Sequence, residues 1–309
     1  MFAITQSSPR AAFVEKSVSK ETRRKYRSTV DEFFRFAGRV DAREVTPDLA
    51  ARWRDLLLAQ GRRGSTVAFK LSVLRSLFDY LVAGGHASAN PFSTMYVSAP
   101  KASEAARGRA LTPKEVRDLL AAPDRSRPEG ARDYAMLLVF LRLGMRVSEV
   151  CSLRRGSISY DAGLWVVTCK VKGGREEKWP LPRDVKDAID AYLLLDYQRR
   201  RSLGSGGGGS EEWLFQPASN YRTLVYDKAL SQRQARNVVA KWGEYSGAGK
   251  LSPHDLRRTV VTKLLDDGRS YREVQMVTKH RDPKTVMLYD RRRENLAKSP
   301  VNTLSYEEG

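Results

Sequence analysis

Apolar residues in this 309-residue chain recur at helical spacing through most of its length, and one short island breaks the pattern. Tyr26, Val30, Phe33, Phe34 and Ala37 share one helical face, as do Leu49, Trp53, Leu56 and Leu57. Val67, Leu71, Leu74, Phe78 and Leu81 then step by four, three, four and three. In the island, 157–160, 164–171 and 176–181 read as short strands. Lys172-Gly173-Gly174-Arg175 gives the last two strands the glycines that a tight reversal needs. A chain patterned this way folds mainly as α-helix with a small antiparallel β-sheet.

Punctuation divides it. Residues 1–18 are polar and read as a loose arm. Thr46-Pro47 marks a helix start, with a capping hydroxyl and proline at the first helical position. A further helix is expected from Ser65, and Gly84-Gly85 and Asn90-Pro91 close it. These helices form an all-helical N-terminal domain over 15–95. Residues 96–110 carry no apolar periodicity and read as a linker. A mixed α/β domain follows over 111–309. Thr112-Pro113 opens its first helix, and the run 133–144 is apolar nearly all round, as a buried helix is. Helices are also expected over 183–202 and 231–245, the latter with Val238, Val239 and Trp242 inward. The stretch 204–210 has pure linker composition and receives no function.

Charge narrows the partner. The chain has 55 Lys and Arg against 36 Asp and Glu, a net +19. Cations spread over many helices point to nucleic acid rather than a membrane surface. Arg23, Arg24, Lys25 and Arg27 crowd the start of the first long helix. Arg62 and Arg63 flank the start of another, whose open N–H groups at Ser65 and Thr66 suit a DNA phosphate; Lys70 lies off its apolar stripe. The two cysteines, Cys151 and Cys169, form no C-x-x-C pair, so neither a zinc site nor a disulfide framework is indicated. With no signal-like or membrane-spanning run, a cytoplasmic setting is expected.

The chemistry gathers in the window 252–289. Its first segment reads Ser-Pro-His254-Asp-Leu-Arg257, its last Lys279-His280 through Tyr289. His254 and Arg257 stand three apart on one helix face. Two histidines, an arginine and a tyrosine suggest chemistry on a phosphodiester with the tyrosine as nucleophile. No acidic cluster has the spacing of a two-metal nuclease.

Taken with two upstream segments, this window resembles the tyrosine recombinase (phage integrase) family, closest in layout to the two-domain Xer type. The family's G-L-R-x-S-E-L box appears as Gly144-Met145-Arg146-Val147-Ser148-Glu149-Val150, and its hairpin-lysine segment as Val171-Lys172-Gly173-Gly174-Arg175 through Pro180-Leu181. The H-x-L-R box is His254-Asp255-Leu256-Arg257, and His280 and Tyr289 close the pattern. The resemblance covers about residues 20–292. One position departs from it: Lys279 stands where the family usually has glycine, so a shifted backbone or an added phosphate contact is expected there.

The resemblance implies an all-helical core-DNA-binding domain, a catalytic domain, and a site-specific recombinase. Such an enzyme cuts and rejoins DNA through a 3′-phosphotyrosyl intermediate and a Holliday junction, with neither ATP nor metal. Arg146 and Arg257 would hold the non-bridging oxygens with forked, permanently charged donors. Glu149 would orient Arg146. His254 would do acid–base work beside Tyr289, His280 would hydrogen-bond the phosphate, and Lys172 would protonate the leaving 5′-hydroxyl. The partners implied are double-stranded DNA with a crossover site and three further copies of the chain, a homo-tetramer on two sites. Val301, Leu304 and Tyr306 would anchor a tail on a neighbouring protomer. The same residues leave open a type IB topoisomerase-like enzyme, or a non-catalytic DNA-binding protein that keeps the fold.

Overall fold

The computed structural model describes residues 8–17, 19–38, 40–100, 108–171, 174–220, 226–280, 282–290 and 302. The chain divides into two compact units at residues 105 and 106. Lys172, the 101–107 part of the expected linker, and Val301, Leu304 and Tyr306 lie outside the described residues. No described helix is long and apolar enough to cross a membrane.

The first unit packs α1 (Pro9–Glu15), α2 (Lys20–Ala37), α3 (Pro47–Ala59) and α4 (Gly64–Ala83) around one core. The expected loose arm is corrected by α1. Ser8 caps it, Pro9 starts it, and Phe13 and Val14 are buried. Phe13 stacks on Tyr26 with ring centroids 5.6 Å apart. Thr46 caps α3 as its sequence predicts, accepting from the Leu49 N–H. The inward stripe of α3 is Ala50, Trp53 and Leu57, while Leu56 faces out. All five predicted apolar positions of α4 are buried, and Phe33, Trp53, Phe78 and Phe92 meet edge to face or tilted in the centre. Val97 belongs to this core, so the unit extends into the segment read as linker.

The second unit is built on α6 (Pro128–Leu143), buried on nearly all sides as its composition requires. It packs against α8 (Arg183–Ser202). Also in the unit are α5 (Pro113–Ala121), α7 (Val147–Val150), α9 (Gln232–Tyr245), α10 (Pro253–Asp266), α11 (Tyr271–Thr278) and α12 (Pro283–Met287). The sheet is antiparallel in the order β1 (Ile158–Asp161), β2 (Leu164–Lys170), β3 (Glu176–Pro180). Val167 pairs with Trp179 and Lys170 with Glu176, so the Lys-Gly-Gly-Arg reversal falls at the turn predicted for it. In α9, Val239 and Trp242 are buried and Val238 only half so.

One feature of this unit bears directly on the site. The strand of chain entering it is fastened to α10: the Arg109 N–H donates to Asp255, the Arg258 guanidinium to the Gly108 carbonyl, and the Leu111 N–H to Thr259. Gly108 is required there, because its φ is +87° and a Cβ would collide with the Asp255 carboxylate at 2.1 Å. The glycine-rich stretch 204–210 is largely exposed and touches the rest of the unit at a few points. The Gly156 N–H donates to the Ser210 carbonyl, and Gly208 lies against Arg155 and Glu212.

Candidate active site

Four segments of the second unit carry Arg146 and Glu149, His254 and Arg257, His280, and Tyr289 to one place. Gly144 ends α6 in the left-handed conformation, φ +59°, and turns the chain so that Arg146 precedes α7. Glu149, one turn on, is 2 % exposed, and both of its oxygens are engaged by Arg146. One accepts from the Arg146 backbone N–H at 2.6 Å, the other from Nη1 at 2.8 Å. The guanidinium itself stays one-third exposed. It is thus a fixed cation with a free outer edge.

From α10, Arg257 points into the protein. It donates to the Gly144 carbonyl through Nη1, and through Nη2 to the Thr278 carbonyl at 2.6 Å and the His280 Nε2 at 2.8 Å. Burial, reinforced by Arg146, brings its pKa down to about 10, so it remains charged at neutral pH. Gly144 is tied to this contact: a Cβ there would press on Thr278 at 3.3 Å and Val260 at 3.4 Å.

His280 is oriented by Thr278. The Thr278 hydroxyl donates to the Val274 carbonyl at 2.7 Å, which leaves its oxygen to accept from His280 Nδ1, also at 2.7 Å. The proton therefore belongs on Nδ1, and Nε2 is the acceptor that Arg257 meets. Burial and then the nearby Arg257, Arg146 and His254 push the His280 pKa down to about 3. The ring is neutral.

Tyr289 follows α12. Its hydroxyl lies 3.2 Å from His254 Nε2, and the residue is buried. Arg258 lies over the ring, 5.2 Å from its centroid. Burial raises the phenol pKa against the opposing pull of Arg257, Arg258 and Arg146. Burial also lowers that of His254, opposed by Asp255 and aided by Arg257 and Arg258. Tyr289 is thus a protonated phenol beside a neutral imidazole that can accept its proton.

Lys279 answers the departure noted in the sequence. It takes φ +54°, ψ +38° at the C-terminus of α11, the left-handed conformation that a glycine adopts freely. A glycine at this position would adopt the same backbone without strain. The Lys279 ammonium lies 3.4 Å from the Glu177 carboxylate of β3.

In the first unit, Arg23 and Arg27 pair with Glu15, and Arg24 and Lys25 with Glu21. These pairs are exposed and so hold weakly. An open groove of about 810 Å³ gathers Lys20, Arg23, Arg24, Arg27, Arg35 and Arg62. Arg63 precedes α4 without a side-chain cap on that helix, and Ser65 and Thr66 are half-buried in its first turn. Lys70 differs: its ammonium is held by Glu32 and is largely covered.

Sequence reasoning missed Arg258 and Thr278. The first stands in the doubled arginine of the His254 box; the second directly precedes Lys279-His280. Neither shows its part until the ring of Tyr289 and the imidazole of His280 are in place.

A tyrosine hydroxyl beside a neutral histidine, with two arginines and a second histidine converging nearby, is an arrangement chemically suited to phosphoryl transfer. The sequence profile of the phage integrase family matches residues 109–295, and that of the phage integrase N-terminal SAM-like domain matches residues 10–85. The tyrosine recombinase XerC of Thermodesulfovibrio yellowstonii is 31% identical over 281 residues, covering 89% of this chain and 87% of that protein. XerC of Salmonella typhi is also 31% identical, covering 89% and 86%. The chain belongs to the phage integrase family, the tyrosine recombinases. In fold it is similar to a lambda integrase dimer bound to a COC′ core site, with TM-score 0.67, 17% identity, and coverage of 89% of this chain and 93% of the other. It is likewise similar to XerH recombinase bound to a difH substrate, with TM-score 0.65, 19% identity, and coverage of 89% and 77%.

Proposed function

We propose that this tyrosine recombinase cuts and rejoins double-stranded DNA at a specific crossover site, with Tyr289 as nucleophile. The observation that carries the assignment is the 3.2 Å contact between the Tyr289 hydroxyl and His254 Nε2. A phenol near pH 7 is a weak nucleophile because its ordinary pKa is about 10. Removing its proton to His254 as it attacks phosphorus overcomes that. As the Oη–P bond forms, the P–O5′ bond breaks, and the leaving oxygen takes a proton from Lys172. The products are a 3′-phosphotyrosyl link and a free 5′-hydroxyl. In the reverse step the 5′-hydroxyl of a partner strand attacks phosphorus and the Tyr289 oxygen leaves. The phosphodiester bond energy is retained throughout.

Arg146 and Arg257 stabilise the charge that builds on the non-bridging oxygens. Glu149 fixes Arg146. His280 donates to the phosphate once it carries a proton on Nε2, and a phosphate anion between it and Arg257 favours that proton. The arginine groove of the first unit, with Arg63, Ser65 and Thr66, tracks the DNA backbone. A tetramer on two sites, passing through a Holliday junction in the cytoplasm, is the assembly this chemistry serves. A lambda integrase tetramer on a Holliday junction is among its structural neighbours, with TM-score 0.67, 17% identity, and coverage of 92% and 76%.

The test is covalent capture. Wild-type protein is incubated with a library of nicked duplexes whose short 5′ fragment diffuses away after cleavage. Protein-linked DNA is then recovered under denaturing conditions and sequenced, which also yields the crossover site. Tyr289→Phe is expected to bind the recovered DNA and form no adduct. DNA that is bound by the wild type but never linked would overturn the assignment. Relaxation of plasmid lacking the site, without strand exchange, would favour the topoisomerase-like reading.

A further inference from the structure

The helix that carries His254 and Arg257 has a second face in use. Asp255, Arg258 and Thr259, at i, i+3 and i+4, stand together on α10, one residue round from the His254–Arg257 pair. All three are buried, and all three hold the segment that enters the unit. Asp255 accepts from the Arg109 N–H at 3.1 Å, and Thr259 from the Leu111 N–H at 2.9 Å. Arg258 donates through Nη1 to the Gly108 carbonyl at 2.8 Å. Gly108 presents that carbonyl from a left-handed backbone, which a Cβ beside Asp255 would forbid.

Arg258 differs from its two companions in what else it touches. Its guanidinium carbon lies 5.2 Å from the centroid of the Tyr289 ring, within the range at which a cation is drawn to an aromatic face. At 4% exposure it is sheltered from water, which otherwise weakens such an attraction. The charge also matters more at some moments than at others. A neutral phenol offers a cation only its ring quadrupole. A phenol whose oxygen carries negative charge adds a Coulomb attraction, and that attraction is strong where water is excluded. The Tyr289 oxygen gains such charge each time its bond to hydrogen or to phosphorus breaks. Arg257, one residue back, is engaged by Gly144, Thr278 and His280 instead.

We infer that Arg258 is a positioning residue for the nucleophile: anchored on the Gly108 carbonyl, it holds the Tyr289 ring and offsets the negative charge on its oxygen. The inference rests on the reading of Tyr289 as the nucleophile. Arg258 exchanges no proton; the phenol proton passes to His254, and the bonds made and broken are those of the proposed reaction. The paired arginines of α10 thus divide the work, Arg257 for the phosphate and Arg258 for the tyrosine. The rival is a pure staple: Arg258 fastens the entering segment to α10 and the tyrosine gains nothing from its charge.

The test changes the tyrosine as well as the arginine. Arg258→Met removes the charge and keeps most of the length, and Arg258→Lys keeps the charge. Each is made with the natural Tyr289 and with a fluorinated tyrosine in its place, a more acidic phenol whose oxygen bears negative charge more readily. Single-turnover adduct formation is measured on saturating captured DNA, at a temperature where circular dichroism shows every variant folded. With the natural tyrosine, Arg258→Met is expected to react about tenfold more slowly, equivalent to about 1.4 kcal/mol, at unchanged DNA affinity. Arg258→Lys should recover a large part of that rate. With the fluorinated tyrosine the loss should shrink to about threefold, because the oxygen needs less help. A staple predicts the same loss with either tyrosine, so an equal loss overturns the inference. A wild-type rate for Arg258→Met, with only the melting temperature lowered, overturns it too. So does weaker DNA binding with a shallower salt dependence at unchanged cleavage, which makes Arg258 a backbone contact. An adduct that survives Tyr289→Phe removes the nucleophile reading and the inference with it. A Tyr289 adduct formed at a rate indifferent to Arg258 removes the inference alone.

Discussion

Glu149→Gln tests the arginine scaffold at its base. The wild-type carboxylate accepts two hydrogen bonds from one residue, at 2.6 Å from the Arg146 backbone and 2.8 Å from its guanidinium. A glutamine keeps one acceptor and sets an NH₂ against the other donor. One charge-assisted bond is therefore removed, worth about 1.5–3 kcal/mol. The guanidinium is one-third exposed, so water recovers part of that, and a net cost of about 2 kcal/mol is expected. For a unit of this size, that lowers the melting temperature by roughly 4–8 °C. The effect on cleavage should be larger, because Arg146 loses its fixed direction, and a misplacement near 1 Å can cost on the order of a hundredfold. Single-turnover adduct formation on the captured site, at a temperature where both proteins are folded, measures it. The decisive comparison is a double-mutant cycle with Arg146→Ala. If Glu149 acts through Arg146, Glu149→Gln costs almost nothing in the Arg146→Ala background. Additive losses, or a wild-type cleavage rate for Glu149→Gln alone, would refute the argument.

Other outcomes follow from the same geometry. The folded pKa of His254 is below its ordinary value, so the ring stays neutral at neutral pH. Adduct formation should be level there and fall only as acid below about pH 6.5 protonates the ring, and His254→Gln should remove that limb from the pH–rate profile. Stability carries a related signature. Between about pH 6.5 and about 3 an unfolded His280 binds a proton that the folded ring does not. Stability is therefore full above 6.5 and falls as pH drops, and His280→Asn should flatten the slope of melting temperature between pH 6.5 and 5. In the first unit, Arg62→Ala with Arg63→Ala should reduce the slope of log binding constant against log salt by about 0.9 for each phosphate that is no longer neutralised, as read by fluorescence anisotropy. Lys70→Met should leave that slope unchanged and lower the melting temperature instead, because the Lys70 ammonium already belongs to Glu32.

How much of this was legible before the structure depended on what each residue's role is made of. Helix starts were readable because a cap is a local event: Thr46 and Thr112 bond within their own first turns. The same signal, Ser8 before Pro9, was present for α1, but seven residues with two large apolar side chains make too short a stripe to stand out. Helical spacing alone admits Leu56 to the inward stripe of α3, yet it is exposed. Ala50 fills the inward position because Trp53 and Leu57 fix the direction of the helix face. Arg146, His254, Arg257, His280 and Tyr289 could be picked out by residue type and order, but the division of labour between the histidines could not. That depends on the Thr278 hydroxyl and on Arg258 over the tyrosine ring, contacts that exist only after packing. At Lys279 the left-handed backbone was not legible, because lysine carries no signal for a positive φ as glycine does.

The two histidine rings flank the Tyr289 ring at equal separation, each centroid 6.2 Å from that of the tyrosine. Residue type alone does not say which takes the proton, but the hydrogen bonds do. Thr278 places a proton on His280 Nδ1, and Arg257 occupies its remaining lone pair, so His280 has no vacant acceptor for the phenol. His254 offers Nε2 directly to the hydroxyl. The same contacts suit His280 to the other task. Its Nε2 and an Arg257 N–H now face each other, and a phosphate anion inserted between them gives Arg257 a stronger acceptor and gives His280 a reason to take up a second proton. Burial and neighbouring cations act on His254, His280 and Arg257 alike in the direction of shedding positive charge, while the Glu149 carboxylate is engaged by Arg146. A single negative charge arriving at this site relieves all of them at once, which is how a scaffold assembled without substrate can hold a phosphodiester more firmly as its charge grows in the transition state.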